Sequence, residues 1–444
     1  MITRMVWVIV SGLVMPWGWP EFVTGEGGQP ISLEEVYTKA LEVNEQISIA
    51  RENVNLARAE KNKALSVLFP ILTGEANYTR RPDEILSPGG NVSRPKEERI
   101  YELRLKQPLY SGGRAMAAYQ SAKEGIKENA EELRVVQENL LFDVATAYYN
   151  GLKAKKTLSL AQVEVERLER HQKASESRFN VGEVTKTVVL RAQAELSRAR
   201  ADLVRAEAEF KMAQDQLILL AKLPPDFDVL DPPVPFLPPR TETDLIQMAY
   251  EKRPDLTASK IREGIFLNGI RFARGGFLPT LSLEGTYSKQ NQDPKNQFFF
   301  VKRDEQATLT LTLPIFEGGL RLAELREARS KARQAGLERT LLEDRIEVEV
   351  KTALRDLETV TSVLENFKDQ VAFAQENFTL VEKQFVFGLA TNIDVLDANS
   401  LLHEAQQQLS NTQYDRDLAI LRLQKVVGIF LDHVHTGKKE AGVD

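Results

Sequence analysis

Apolar positions recur along this chain with two different periods, and each period occurs in both halves. Residues 280–288 alternate strictly, with Leu281, Leu283, Gly285 and Tyr287 on one side and Thr280, Ser282, Glu284, Thr286 and Ser288 on the other. Residues 307–313 do the same, with Ala307, Leu309, Leu311 and Leu313 against Thr308, Thr310 and Thr312. In the first half Leu72, Gly74, Ala76 and Tyr78 oppose Thr73, Glu75, Asn77 and Thr79, and Tyr101, Leu103 and Leu105 oppose Glu102, Arg104 and Lys106. A period of two means strands with one apolar and one wet face. The pattern predicts two β-hairpins, at about 70–108 and about 279–314.

Elsewhere the period lengthens. No proline interrupts 113–179 or 318–386, so each stretch predicts a helix of roughly 100 Å at 1.5 Å per residue. The second carries a seam in steps of four and three, from Ile346, Val350 and Ala353 through Leu364, Ala374 and Phe378 to Phe385. Shorter helices, predicted at 185–222 and 392–427, repeat the spacing with Val189, Ala192, Leu196 and Ala199, and with Val395, Ala398, Leu402 and Ala405. An apolar repeat averaging 3.5 residues defines a coiled coil. Short turns at Val181-Gly182-Glu183 and Phe387-Gly388-Leu389 make each helix pair antiparallel. Glycine suits the left-handed residue that ends a helix, and Thr185 and Thr391 stand where N-caps do. Pro70, Pro108, Pro279 and Pro314 are read as the helix–strand junctions, because proline stops a helix and fixes φ.

The two halves are also alike in their residues. Leu68-Phe69-Pro70 to Tyr78 returns as Phe277-Leu278-Pro279 to Tyr287, and Gln107-Pro108-Leu109-Tyr110-Ser111-Gly112-Gly113 as Leu313-Pro314-Ile315-Phe316-Glu317-Gly318-Gly319. Phe179-Asn180-Val181-Gly182 returns as Phe385-Val386-Phe387-Gly388. Self-similarity at this length predicts an internal structural duplication. The chain divides into a signal peptide (1–25), a first repeat (26–223), a stiff Pro-rich linker (224–240), a second repeat (241–428) and a C-terminal tail (429–444).

Composition narrows what this architecture is for. A net charge of −6 argues against a nucleic-acid partner, which would need clustered cations. The chain has no cysteine, which excludes disulfides, thiolate metal sites and a cysteine nucleophile. Arg4, the apolar run from Met5 to Met15, and Val23-Thr24-Gly25 read as a secretory signal. No other run is apolar enough for a membrane helix, so a membrane span must be made of strands. Four strands cannot close a barrel, and lipid does not tolerate open edges, so copies must pool their strands. The loops 80–99 and 289–303 would face outside the cell. Phe298-Phe299-Phe300 reads either as an interfacial anchor or as a contact with another copy. His171 and His403 lie on helical faces and read as solvated, while His433-Val434-His435 offers only weak metal-binding potential. No catalytic constellation, cofactor site or metal site is expected.

These residues resemble the TolC family of outer-membrane channel-tunnels. The resemblance rests on Pro108 to Gly113 and its copy Pro314 to Gly319, on Arg178 to Thr185, and on Phe385-x-x-Gly388-x-x-Thr391-x-x-Asp394-Val395-Leu396-Asp397-Ala398. It implies an α+β membrane protein: a homotrimer whose 12-stranded outer-membrane β-barrel, four strands per chain, continues into a periplasmic α-helical coiled-coil barrel. It implies the outer membrane of a Gram-negative-type bacterium, outer-membrane lipid, a periplasmic adaptor (membrane fusion) protein, and an inner-membrane RND or ABC transporter as partners. Asp394 and Asp397 fall where the family places acidic rings at the periplasmic aperture. Rings of this kind select cations by field strength. A first-turn carboxylate also complements the helix dipole, which is the plainer reading of Asp394. The family's gate Tyr and Arg correspond to Phe385 and Ala390, and on the partner coil Thr187 is kept while the acidic position is Val188. The resemblance therefore implies a gate with fewer polar latches, packed around Phe385 and Val188. Arg178, Val181, Gly182, Phe387, Gly388 and Leu389 are the expected adaptor contacts. The expected function is a passive exit duct; the alternative is a non-conducting periplasmic coiled-coil scaffold.

Overall fold

The computed structural model describes residues 29–235, 241–296 and 300–434. The signal segment, Phe298, Phe299, His435 and part of the linker lie outside the described residues. The elements in chain order are β1 (Gln29–Ile31), α1 (Leu33–Val43), α2 (Glu45–Ser66), β2 (Ile71–Arg80), β3 (Ile85–Leu86), β4 (Val92–Arg94), β5 (Glu97–Ser111), α3 (Arg114–Asn180) and α4 (Lys186–Ala221). They continue with β6 (Phe227–Val229), α5 (Glu242–Lys252), α6 (Pro254–Gly275), β7 (Thr280–Asp293), β8 (Arg303–Thr312), α7 (Leu320–Val386) and α8 (Asn392–Val427).

The longest helices, α3 and α7, have 67 residues each and are followed by helices of 36. Their ends are set by glycine. Gly182 and Gly388 have φ of 80° and 74°, which an L side chain adopts only under strain. Around Gly182, its own N–H donates to the Phe179 carbonyl and that of Glu183 to the Arg178 carbonyl. Around Gly388, the same pair of bonds runs to Phe385 and Gln384. These paired bonds are a Schellman ending, which satisfies the last carbonyls and turns the chain back. Each long helix then packs against its successor. In the second pair Ala374, Phe378, Val395, Leu402 and Ala405 form one buried seam.

Strands β2, β5, β7 and β8 form one antiparallel sheet, of order β2-β5-β7-β8. Pairing of β5 with β7 joins the two halves of the chain, and β2 and β8 are left as open edges. The row Leu72–Leu105–Gly285–Ala307 runs across all four strands on one face. Leu72, Leu309 and Leu311 on this face are more than 60 % exposed. A face this apolar without a covering layer needs a non-aqueous neighbour. Among the described residues, no helix is long and apolar enough to cross a membrane.

The largest core lies around the middle of α3, where Leu140, Leu141, Val144 and Tyr148 meet α1, α4 and the β1–β6 pair. The Tyr148 hydroxyl donates to the Ile31 carbonyl (2.8 Å) and accepts from the Leu230 N–H (3.0 Å). It thereby ties β1 to β6, which pair in parallel. The linker is thus partly strand, anchored to the N-terminal segment rather than spanning freely. Two further expectations need correction. Pro108 is not at a junction: it lies inside β5, at a register break against β7 between Pro108 and Tyr110. Pairing with β2 has already ended at Lys106, so a residue without an N–H is tolerated there. The segment from 429 is not a tail at its start, because Ile429, Phe430 and Leu431 are buried in the core. The edges of the Tyr37 and Phe142 rings meet Phe430.

One buried charge gives the helical region a pH dependence. Glu138 on α3 is 7 % exposed. Burial pushes its carboxyl from 4.5 up to about 7, against the pull of Lys425 and Arg253. Between those values the folded chain holds a proton that the unfolded chain has released. Stability is therefore expected to fall as pH rises through this window and to stay lower above it. Glu138→Gln should gain on the order of 2 kcal/mol at pH 8 and almost nothing near pH 4.5, measured by thermal unfolding at both pH values.

Candidate functional site

Both helical hairpins turn at the same end of the molecule. Arg178 of α3 lies over the Phe385 ring of α7 (4.7 Å) and donates to the Phe385 carbonyl (3.4 Å). A further ion pair joins it to Glu183 (3.0 Å). Of the expected contact residues, Arg178 is thus spent on holding the two tips side by side. The others face solvent: Val181 is 71 % exposed, and Phe387 and Leu389 are each 79 % exposed. With Val386, they make an exposed apolar patch at the far end of a long, charged coiled coil, the kind of surface a protein partner covers.

The first turn of α8 follows directly. Asp394 Oδ2 accepts from the Thr391 N–H and hydroxyl, both at 2.7 Å, and the Asp394 N–H donates to Thr391 Oγ1 (3.3 Å). This is a reciprocal capping box. The Thr391 bonds hold the Asp394 carboxyl below its usual range. Asp397, three residues on, shares that side of the helix and is exposed. Among the described residues it has no ion-pair partner. Thr185 differs from its counterpart. It occupies the N-cap of α4 without a side-chain bond: the Val188 N–H donates to the Thr185 carbonyl (3.1 Å), and Val188 has no carboxylate to complete a reciprocal box. Thr187 is exposed, Val188 and Ala390 are half-buried, and Phe385 packs on the α7–α8 seam.

The structure adds a second seam, between α3 and α8, that the sequence reading missed. Arg167 Nη1 donates to Asn399 Oδ1 (2.7 Å), and Asn399 Nδ2 donates to Glu164, which also pairs with Arg167 (3.3 Å). Arg167 lies over the Phe378 ring (5.1 Å). Burial raises the Glu164 carboxyl, offset in part by His403. Nearer the tip, His171 Nε2 donates to Asn392 Oδ1, and its ring meets Phe385 at 5.7 Å. His171 is therefore half-buried between coils, not solvated as expected. Burial lowers its pKa, with Asn392 and Glu382 opposing. Farther from the tip, Lys153 pairs with Asp415. The signal was present in α8: Asn392, Leu396, Asn399 and His403 recur in steps of four and three, one position beyond the apolar seam. Among the described residues, no cluster of His, Asp and Glu could hold a metal.

A single chain thus offers an uncovered apolar sheet with open edges, an exposed apolar tip roughly 100 Å of helix away, and a polar bridge between its two coils. Known proteins share the fold that carries these features. The family model described as outer membrane efflux protein matches residues 36–221 and 245–429. The chain is similar to the outer membrane protein TolC of Vibrio cholerae serotype O1, 25% identical over 417 residues, covering 89% of this chain and 90% of that one. It is similar to TolC of Escherichia coli K12, 26% identical over 423 residues, covering 90% and 83%. Its fold matches a crystal structure of CusC with a TM-score of 0.79 at 19% identity, covering 92% of this chain and 95% of that one. The family model spans most of the sequence, both coiled coils and all four strands of the sheet included, and the chain belongs to the outer membrane efflux protein family.

Proposed function

We propose that this protein is the outer-membrane exit duct of a tripartite efflux pump or type I secretion system, conducting substrates passively from a periplasmic adaptor and inner-membrane transporter to the cell exterior. The observation that carries the reading is the four-stranded sheet, apolar on its outer face and open at β2 and β8. In lipid such edges must be paired, and pairing β8 of one copy with β2 of the next supplies the partner. Three copies give the 12-stranded barrel of the family, with the coiled coils continuing as a periplasmic tunnel. The two sequence repeats would then be structural repeats joined by the Pro-rich linker. The polar face of the sheet, with Glu75, Glu102, Arg104 and Glu284, would line the lumen.

The tip serves as gate and docking point. Three copies of Asp397, with Asp394 behind each as a helix cap, place a ring of carboxylates around the axis and favour cations there. An adaptor covers Val181, Phe387 and Leu389 beside Gly182 and Gly388, and the inner-membrane partner is an RND or ABC transporter. Conductance in planar bilayers, with divalent cations added from each side, tests the duct. A cation-selective current blocked from one side only, and released from block by Asp394→Ala plus Asp397→Ala, is expected. No current from verified inserted protein, wild type and variant alike, would favour a sealed scaffold instead. Gly182→Val and Gly388→Val test the docking. Each forces a β-branched residue to a φ near +80° in an open turn where nothing lies within 4 Å of the added carbon. Oligomers should form normally while adaptor cross-linking and efflux fall by at least about ten-fold, as expected where hairpin geometry sets the fit.

A further inference from the structure

We infer that the outer face of the sheet, at its loop-side end, carries a binding site for phosphate-bearing lipid head groups, formed by Lys289 and Arg303 with Tyr101 and Arg99 beside them. The inference rests on the reading that this face meets lipid. Starting at the end nearest the helices, the directly opposed pairs of β7 and β8 on this face are Leu281–Leu311, Leu283–Leu309, Gly285–Ala307, Tyr287–Glu305 and Lys289–Arg303. The eight steps from Leu281 to Lys289 cover about 27 Å of strand. At a barrel-strand tilt of 35–45° that is about 20 Å of bilayer depth, close to the apolar band of such barrels. Lys289 and Arg303 therefore sit where the hydrocarbon ends, on the side away from the periplasmic helices.

Their pairing is unusual in one respect. Like charges directly opposite each other destabilise a strand pair. The other arginines of this region are neutralised within the chain: Arg104 by Glu102 and Glu284, Arg80 and Arg99 by Glu97, and Arg81 by Glu98. Lys289 and Arg303 are both exposed, and among the described residues neither has an ion-pair partner. Glu305, one rung below, pairs with neither of them. The positions around the two cations suit an anionic head group. Tyr101 occupies the same rung as Lys289 on β5, and the next rung outward pairs Arg99 with Asn291. The Arg99 guanidinium lies over the Tyr78 ring at 5.4 Å. Tyr78, Tyr101 and Tyr287 together make an aromatic row at interfacial depth. A phosphate seated between Lys289 and Arg303 would remove their mutual repulsion and accept charge-assisted bonds from both. Exposed cations hold free phosphate weakly in water. A lipid head group is already concentrated at this depth, so the ligand is the lipid and not the free ion.

The test uses the full chain inserted in nanodiscs of phosphatidylcholine with a minor fraction of lipid A, a glycolipid bearing two phosphates, and native mass spectrometry to count retained lipid A. Wild-type protein is expected to retain lipid A, and Lys289→Gln plus Arg303→Gln to retain it about thirty-fold less, the effect of two surface cations. Lys289→Arg, which keeps the charge, should retain it like the wild type. Equal retention by the double variant overturns the site. Displacement of lipid A by inorganic phosphate alone overturns the choice of lipid as the ligand. Insertion and oligomer formation are read separately by heat-modifiable electrophoresis. Wild-type chain that does not insert overturns the barrel reading and this site with it.

Discussion

Gly112→Ala is expected to abolish membrane-inserted protein, while Gly318→Ala leaves the individual chain folded. Both glycines have positive φ, 63° and 60°, so each alanine carries roughly 1 kcal/mol of left-handed strain. Only one of them has a neighbour. A carbon added at Gly112 would lie 2.3 Å from the Gly275 carbonyl oxygen and 3.1 Å from the Leu278 side chain. A carbon added at Gly275 would lie 2.5 Å from the Gly112 carbonyl oxygen. These are backbone groups at the end of α6, so no side-chain rotation relieves the overlap. The total cost at Gly112 is at least about 3 kcal/mol, concentrated where β5 passes into α3. At Gly318 nothing lies within 4 Å inside the chain. Gly318 holds in the second repeat the place of Gly112 in the first. If a neighbouring copy's α2 covers it as α6 covers Gly112, Gly318→Val will spare helical content and lose the oligomer. Circular dichroism and heat-modifiable electrophoresis separate the two effects. Equal stability of the Gly112 and Gly318 alanine variants would refute the close approach of α6.

The second large effect concerns the mouth of the tunnel. Arg167→Leu combined with Asn399→Leu is expected to raise single-channel conductance several-fold. Asn399 is 4 % exposed, and its bonds to Arg167 and Glu164 are, with His171–Asn392 and Arg178–Phe385, the polar ties between the first coil and the second near the tip. Glu164→Leu accompanies the two changes, because Glu164 would otherwise lose both its partners; replacing the whole bridge by apolar groups costs less than orphaning one member, on the order of 1–2 kcal/mol, too little to unfold helices of this length. In the proposed trimer three copies would crowd the axis, so a released α7–α8 hairpin could move only away from it and widen the aperture. Planar-bilayer recording gives the result directly. An unchanged conductance would put the constriction elsewhere than at this bridge.

Strands and long helices were legible in the sequence for physical reasons that hold residue by residue. Alternation from Leu281 to Tyr287 survives because one face of β7 has no covering protein layer to blur it. The long helices are legible because proline is absent and glycine is reserved for their ends, at Gly182 and Gly388. What was not legible depends on contacts distant in sequence. Strands β1 and β6 are three residues each, too short for a period, and exist because Tyr148 ties them. Pro108 read as a junction because strand interiors exclude proline; the bulge that admits it is a property of the pairing with β7. At the candidate site, the sequence offers Asp394 and Asp397 as ring carboxylates and already gives Asp394 a second reading at the helix end, where Thr391 holds it. His171 reads as a surface residue, and Asn399 draws no notice, because a helix with two seams looks amphipathic about only one of them. Inverse logic applies to Val188: its lack of a carboxylate is visible in sequence and rules out a reciprocal capping box, whereas the donation of its N–H to the Thr185 carbonyl is visible only in the structure.

The open edges at β2 and β8 have a genetic consequence. A chain that can finish its sheet only with neighbours shares its fate with them. When wild-type and defective copies of the gene are expressed equally and associate at random in the proposed trimer, only about one assembly in eight would be free of defective subunits. A variant that still exposes β2 or β8 but blocks the tip would therefore suppress export in the presence of the normal gene. One that cannot form the sheet at all, such as the Gly112 substitution, would never enter an assembly and would be recessive.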